Sequence, residues 1–345
     1  MKRKKLTYLI VGSTLIVAVG LIYFFGIRTG KIIPRADVDV ATMALNPASG
    51  TYQTGQTFDV NIVINTGGIA TDAATANLNF DTNYLDVVDM DATRTGIQIT
   101  PGTIYPNMMT NIVNSNRITF EATIDLNADP LVPFTGTGTL ATIRFRTKQA
   151  VASTNVTFYY VEDSRDMDNS QIISHASDTI LYQPGVGTYQ ITNTINLSLQ
   201  LQGNVNHNNS ATGIDLRVYQ TGQSTIIFEK TDISTDTAGN AQFPVNLAAG
   251  NYDFWLKVPY YLAQKKTNIA MANPLTLAFG EQRAGDLNND NQVSQSGDYS
   301  KIILSWRKRS TDAGFDPISD VNKDSQVNMS DVQLLLTNWR VRGAQ

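Results

Sequence analysis

The 345-residue chain contains no cysteine, so no disulfide staples it, and its rigidity must come from hydrophobic cores or bound metal. Histidine is nearly absent too: only His175 and His207 occur, and neither stands in a metal-ligand spacing such as His-Glu-x-x-His. There is no Gly-x-Ser-x-Gly elbow, no phosphate-cradling glycine loop and no cysteine nucleophile. These absences remove the recognisable hydrolase, nucleotide-binding and thiol classes, and the chain reads as non-enzymatic. The main concentration of basic residues is at the start. The first 35 residues hold seven basic side chains and no acidic one, and setting them aside leaves 19 basic against 30 acidic residues, a net of −11. Such an acidic body argues against nucleic acid as a partner, because phosphate binding needs clustered Lys and Arg. It suits divalent cations.

Charge is also missing from residues 6–27, a 22-residue run rich in Leu, Ile, Val and Phe that is long enough to cross a bilayer as a helix. The basic cluster before it predicts a cytoplasmic N-terminus. The competing reading is a cleaved signal peptide, but its apolar stretch is usually only ~7–15 residues with a small-residue cut site. Residues 26–31, Gly-Ile-Arg-Thr-Gly-Lys, offer no clear one. The expectation is therefore a single-pass anchor with the bulk of the chain at the cell surface.

From about residue 41 the dominant signal is period-two alternation, which places successive side chains on opposite faces of a sheet. Phe58, Val60, Ile62 and Ile64 alternate in this way, as do Ala76, Leu78 and Phe80; Ile118, Phe120, Ala122 and Ile124; Ala141, Ile143 and Phe145; and Val156, Phe158 and Tyr160. Turn chemistry, such as residues 46–50 (Asn-Pro-Ala-Ser-Gly) and 65–68 (Asn-Thr-Gly-Gly), separates the runs. An antiparallel sandwich is the packing solution this predicts. A second, smaller set of alternating runs lies between about residues 195 and 283: Leu197, Leu199 and Leu201; Ile214, Leu216 and Val218; Tyr252, Phe254, Leu256 and Val258.

Three segments of the first region resemble the cohesin family and fall in that family's order. They are the turn and strand from Pro47 to Val60; Phe80-Asp81-Thr82-Asn83-Tyr84-Leu85-Asp86-Val87-Val88; and the strand from Gly136 to Phe145, which reads Gly-x-Gly-x-Leu-Ala-x-Ile-x-Phe. The resemblance implies a β-sandwich receptor for dockerins. Residues 237–243 and 249–254 resemble the carboxypeptidase-regulatory-like, transthyretin-like module, which implies a spacer.

Near the end, residues 286–293 (Asp-Leu-Asn-Asn-Asp-Asn-Gln-Val) recur as residues 320–327 (Asp-Val-Asn-Lys-Asp-Ser-Gln-Val), an offset of 34. Ca²⁺ takes six to eight oxygen ligands, which a loop supplies from side chains at positions 1, 3 and 5, a backbone carbonyl at 7, a water-bridged group at 9 and a carboxylate at 12. The second loop predicts Asp320, Asn322, Asp324, the Gln326 carbonyl, Asn328 and Asp331. The first predicts Asp286, Asn288, Asp290, the Gln292 carbonyl, Ser294 and Asp298. Apolar stripes follow each loop at helical spacing: Tyr299, Ile302, Ile303 and Trp306, then Val332, Leu335, Leu336 and Trp339. These stripes repeat at 33, so the first repeat has gained one residue and Asp298, not Gly297, is the counterpart of Asp331. That loop must bulge, and Gly297 is the residue suited to absorb the bend. Position 6, which needs a left-handed turn, holds Asn291 and Ser325. Each loop thus carries one departure, and micromolar or weaker affinity is expected.

A loop–helix unit duplicated within about 60 residues, with no helix before each loop, resembles a type I dockerin. The resemblance implies a partner surface at loop positions 10 and 11, here Gln295 and Ser296, and Met329 and Ser330, with Arg307 and Lys308 able to steer an acidic partner face.

The sequence thus predicts a mainly β protein with an N-terminal transmembrane helix, two antiparallel sandwiches and a small C-terminal α domain with two calcium loop–helix repeats. The expected boundaries are 1–35, 36–193, 194–283 and 284–345. The function implied is non-catalytic, calcium-dependent docking to cohesin or dockerin domains of other surface proteins, or to its own chain or a copy, with a possible link to polysaccharide degradation. The alternative is carbohydrate binding by the first sandwich, with Tyr105, Tyr159 and Tyr160 stacking on sugars. The acidic stretch 162–168 reads as a solvated loop rather than a further calcium site.

Overall fold

A computed structural model describes residues 41–162, 166 and 168–345. The strands in chain order are β1 (Thr42–Asn46), β2 (Ser49–Gln53), β3 (Thr57–Asn65), β4 (Thr71–Phe80), β5 (Leu85–Val87), β6 (Thr100–Pro101), β7 (Asn107–Asn114), β8 (Arg117–Thr123) and β9 (Thr137–Thr147). They continue with β10 (Val151–Phe158), β11 (Gln171–Ser174), β12 (Val186–Leu201), β13 (Ile214–Gln220), β14 (Ile226–Ile233), β15 (Asn240–Val245), β16 (Asn251–Lys257), β17 (Gln264–Ala270) and β18 (Leu275–Gln282).

One sheet of the first sandwich runs β1-β3-β9-β5, with β6 also on β9. The opposing sheet runs β12-β10-β4-β8-β7, with β2 on β12 and β11 on β4. The alternating residues point inward as predicted: Val60, Ile62, Ile64, Leu78, Ile118, Phe120, Ile143 and Phe145 are essentially inaccessible to solvent. On β9 the alternation breaks once. Leu140 and Ala141 are both buried, because a bulge against β3 between Ile62 and Val63 shifts the register there. The Gly-x-Gly pair that opens this strand has a steric reason. Gly136 takes a left-handed φ of +117°, and a Cβ on Gly138 would lie 2.3 Å from the Ile104 side chain. The aromatic-Asp segment forms a turn held by Asp81, whose carboxylate accepts the Asn83 N–H at 2.9 Å and whose carbonyl accepts that of Leu85 at 3.0 Å. Phe80, Leu85 and Val87 then drop into the core.

The 16-residue β12 is shared between the two sandwiches. Its first half pairs with β10 and β2; from Asn193 onward it pairs with β15 and, in parallel, from Ile195 with β18. The remaining sheet, β14-β13-β16-β17, closes the second sandwich. A continuous strand therefore joins the two units, and their apolar residues separate into one core ending at Ile191 and another beginning at Ile195.

The expected fold class is corrected in its helical parts. Among the described residues, no helix is long and apolar enough to cross a membrane. The anticipated span, 6–27, lies outside the described residues, and the single-pass, cell-surface placement is not retained. Nor does the C-terminal stretch form a separate α-helical domain built on a calcium-binding helix pair. Its helices are short, a five-residue one at Ser300–Leu304 and a nine-residue one at Met329–Thr337. Leu287, Val293, Ile302, Val321, Val327, Val332 and Leu335 join the same core as Leu199, Phe254 and Leu277 of the second sandwich. Each helix packs on one side only, so the predicted stripes are half buried. Ile303 is 46% exposed and its counterpart Leu336 51%, whereas Ile302 and Leu335 are fully buried.

Candidate functional site

The two C-terminal loops share one backbone design. Left-handed residues recur at position 4 (Asn289, φ 62°; Lys323, φ 62°), at position 6 (Asn291, φ 67°; Ser325, φ 69°) and after each helix (Arg307, φ 63°; Arg340, φ 61°). Ser325 adopts the conformation despite its Cβ, as the equivalence of the loops required. The repeats also interlock. Arg307 N–H donates to the Val327 carbonyl and Val327 N–H to the Lys308 carbonyl, each at 2.8 Å. Val293 N–H donates to Val341 and Arg340 N–H to Val293, each at 3.0 Å. The exit of one helix thus braces the loop of the other repeat.

Within each loop, backbone N–H groups converge on the predicted side chains. In the second, Asp320 accepts from Asp324 N–H (3.1 Å) and Ser325 N–H (2.9 Å), and Asn322 Oδ1 accepts from Asp324 N–H (3.1 Å). Asp324 Oδ1 accepts from Gln326 N–H (2.9 Å). In the first, Asp286 Oδ2 accepts from Asn291 N–H (3.0 Å), Asn288 Oδ1 from Asp290 N–H (3.1 Å) and Asp290 Oδ1 from Gln292 N–H (2.9 Å). The closing carboxylates correspond as the 33-residue offset requires. Asp298 accepts from Asn288 N–H at 3.2 Å and Ser294 N–H at 2.6 Å, and Asp331 accepts from Asn322 N–H at 3.1 Å and Asn328 N–H at 2.8 Å.

The extra residue of the first loop is absorbed by a single π-helical turn, Gln295–Tyr299, capped by the Ser294 hydroxyl. Gly297 does not supply the bend through a left-handed φ, contrary to expectation. Its role is spatial: a Cβ there would fall 2.3 Å from the Asn288 amide nitrogen.

Burial raises the pKa of Asp298, Asp320 and Asp331 above the ordinary carboxylate value, and neighbouring carboxylates add to the effect while N–H donors oppose it. Asp286 is wholly buried, and its Oδ1 has no hydrogen-bond partner. A bare buried carboxylate oxygen is costly, and a cation is the group that would satisfy it. Among the described residues, no three His, Cys, Asp or Glu side chains gather closely enough to hold a metal by themselves. Carboxylates alone therefore do not make either site. The donor set fits calcium only with the position 3 amide and the position 7 carbonyl included, which is the hard-oxygen chemistry that ion prefers.

The predicted partner residues separate. Gln295 and Ser296 line a shallow groove with Tyr299, Ser300, Ile303 and Leu304, the last 84% exposed. Met329, 64% exposed, and Ser330 open the second helix, two and three residues beyond Val327, where the backbones of Arg307 and Lys308 dock. The sugar-stacking alternative loses its residues. Tyr105 is 3% exposed and its hydroxyl lies 2.6 Å from Thr71 Oγ1, while Tyr160 packs on the first core and donates to the Leu181 carbonyl at 2.9 Å. Tyr159 alone is exposed, under the Arg117 guanidinium. His175 is a surface residue facing Asp72, and His207 lies in a loop. The acidic stretch 162–168 lies partly outside the described residues.

Sequence reasoning missed what the second sandwich contributes. The Tyr260 N–H donates to Asn289 Oδ1 at 2.6 Å and the Ala263 N–H to Asn291 Oδ1 at 2.8 Å. The Lys257 ammonium contacts Asp286 Oδ2. On the second loop, Val205 N–H donates to the Asn322 carbonyl (3.1 Å) and Asn206 Nδ2 to that of Lys323 (2.8 Å). No local pattern marks these residues, since they are placed only by packing.

Fold and site together define a two-sandwich β protein with paired oxygen-donor loops on its second core. Among solved structures, those it is similar to are cohesin domains. One is a chain of a type II cohesin–X–dockerin complex from Acetivibrio cellulolyticus, 18% identical over 44% of this chain and 97% of that chain, with a TM-score of 0.35. Another is a non-cellulosomal cohesin from the archaeon Archaeoglobus fulgidus, 17% identical over 44% of this chain and 90% of that one, with a TM-score of 0.32. A third, a type II cohesin domain from the cellulosome of A. cellulolyticus, is 18% identical over 43% and 93%, with a TM-score of 0.35. No family model and no curated protein matches the sequence.

Proposed function

We propose that the chain is a non-catalytic docking protein whose first sandwich receives a dockerin-type partner and whose C-terminal loops each take up a calcium ion. The observation that carries the docking reading is the outer face of β4, β8 and β7. Inward residues there are mostly apolar, whereas the outer face carries small and polar side chains such as Ala73, Thr75, Thr119 and Glu121 on β4 and β8 and, on the edge strand β7, two exposed apolar ones, Met109 (64%) and Ile112 (41%). A sheet face of small and polar side chains with exposed apolar ones along its edge strand suits a protein partner. The calcium reading rests on the paired loop geometry and the unpartnered Asp286 Oδ1. In loop 1, Asp286, Asn288, Asp290, the Gln292 carbonyl and Asp298 would hold the ion. Asp320, Asn322, Asp324, the Gln326 carbonyl and Asp331 would do so in loop 2, with Ser294 and Asn328 acting through water. The bound ion would satisfy Asp286 Oδ1 and add positive charge beside the buried carboxylates.

Calorimetric titration of the full chain with calcium, followed by titration with a panel of dockerin modules, tests both halves. The expected results are two calcium equivalents and one dockerin per chain, with Ile112→Asp weakening the dockerin complex at least about tenfold, as loss of an apolar anchor does. Absence of calcium binding would remove the second half. A complex indifferent to Ile112→Asp would remove the chosen face.

A further inference from the structure

The two loops are gripped by the second sandwich in different ways. At loop 2 the sandwich offers neutral donors to backbone carbonyls, from Val205 and Asn206. Lys323, within that loop, donates to the Pro317 carbonyl at 2.9 Å, and its charge also acts on Asp320 and Asp331. At loop 1 the sandwich delivers a charge. Lys257 is the last residue of β16, its side chain only 13% exposed, and its ammonium donates to the Tyr261 carbonyl at 2.5 Å and to Asp286 Oδ2. Asp286 thus has one oxygen neutralised by a resident cation and the other, Oδ1, buried with no partner.

We propose that Lys257 is a built-in counter-charge that orients Asp286 and lowers the calcium affinity of loop 1. This rests on the calcium reading above. With Oδ2 held by the ammonium and by Asn291 N–H, the carboxylate cannot rotate freely and Oδ1 stays available to an ion in the loop. The same ammonium repels that ion, and its charge reduces the net negative charge of loop 1 from three carboxylates to an effective two. In loop 2 the resident cation is Lys323, which belongs to the loop itself. The sandwich therefore holds loop 1 in a formed state without metal, at the expense of affinity.

An ammonium ~6 Å from a doubly charged ion, screened as in bulk water, changes affinity by about tenfold, and less screening enlarges the effect. The test is calcium calorimetry on the full chain carrying Asp320→Ala and Asp324→Ala to silence loop 2, with and without Lys257→Met, which keeps most of the buried stem. The Met variant should bind calcium at loop 1 about tenfold or more tightly, and Lys257→Arg, retaining the charge, should match the parent. If the Met variant fails to fold, Lys257→Gln carries the same expectation. Unchanged or weaker binding in the charge-free variant, with the parent still binding calcium, would overturn the role of Lys257 alone. No calcium binding by the unmodified chain would overturn the calcium reading and this inference together.

Discussion

Leu335→Ala separates a shared core from a C-terminal unit that merely touches the sandwich. Leu335 is fully buried on the second C-terminal helix and belongs to the cluster that includes Leu199, Phe254 and Leu277. Truncating such a leucine removes its transfer free energy and leaves a cavity, costing ~2–5 kcal/mol. With a urea m-value of roughly 1–3 kcal/mol/M, the unfolding midpoint should fall by about 1–2 M. The three tryptophans, Trp255, Trp306 and Trp339, all lie in the second unit, so their fluorescence reports on that core and not on the first sandwich. Trp255 sits on β16 and donates to the Ala344 carbonyl at 3.0 Å, so a variant keeping only Trp255 monitors the sandwich itself. The expected result is a downward shift of the Trp255 transition together with the loss of helical circular dichroism. If the helical signal melts early while the Trp255 midpoint stays put, the common core is refuted.

Two further outcomes follow from the loops. Gly297→Ala places a methyl group against the Asn288 side chain, so it should weaken calcium binding at loop 1 several-fold, cost ~1–3 kcal/mol as overpacking does, and leave loop 2 unaffected; site-resolved titration in the loop-2-silenced background checks this. The pH dependence follows from the raised pKa values of Asp298, Asp320 and Asp331. Without calcium, the native state takes up protons at these groups before the unfolded chain does, so their burden on stability is greatest above the raised values and eases as pH falls toward the ordinary carboxylate value. With calcium, the ion competes with those protons, and its stabilising increment should shrink over the same interval. Thermal melts with calcium and with chelator, stepped from pH 7 to 4, measure the difference; an increment that grows on acidification would refute it.

Much of the architecture was legible in the chain. Alternation marked the buried residues of β3, β4 and β8 because a strand with one solvated face must repeat every two residues. At β9 it marked Ala141, Ile143 and Phe145, and Leu140 is buried as well because a bulge against β3 adds a residue there. The helical stripes overstated burial, since Ile303 and Leu336 have the right spacing but no neighbour to cover them. The unequal offsets of 34 and 33 set Asp298 opposite Asp331, and the two carboxylates accept from backbone N–H groups at matching places in their loops. How the insertion is accommodated, by a π turn with Gly297 yielding space and not rotation, depends on the Asn288 side chain across the loop.

The sequence by itself determined the strands, the order of the two β units and the correspondence of the two loops, because these follow from spacing along one chain. Only the tertiary structure decided that β12 is continuous through both sandwiches, that the C-terminal helices complete the second core, and that Lys257 meets Asp286. Those outcomes depend on which surfaces face each other after folding, and the period of a strand or the register of a loop carries no record of the neighbour it will meet.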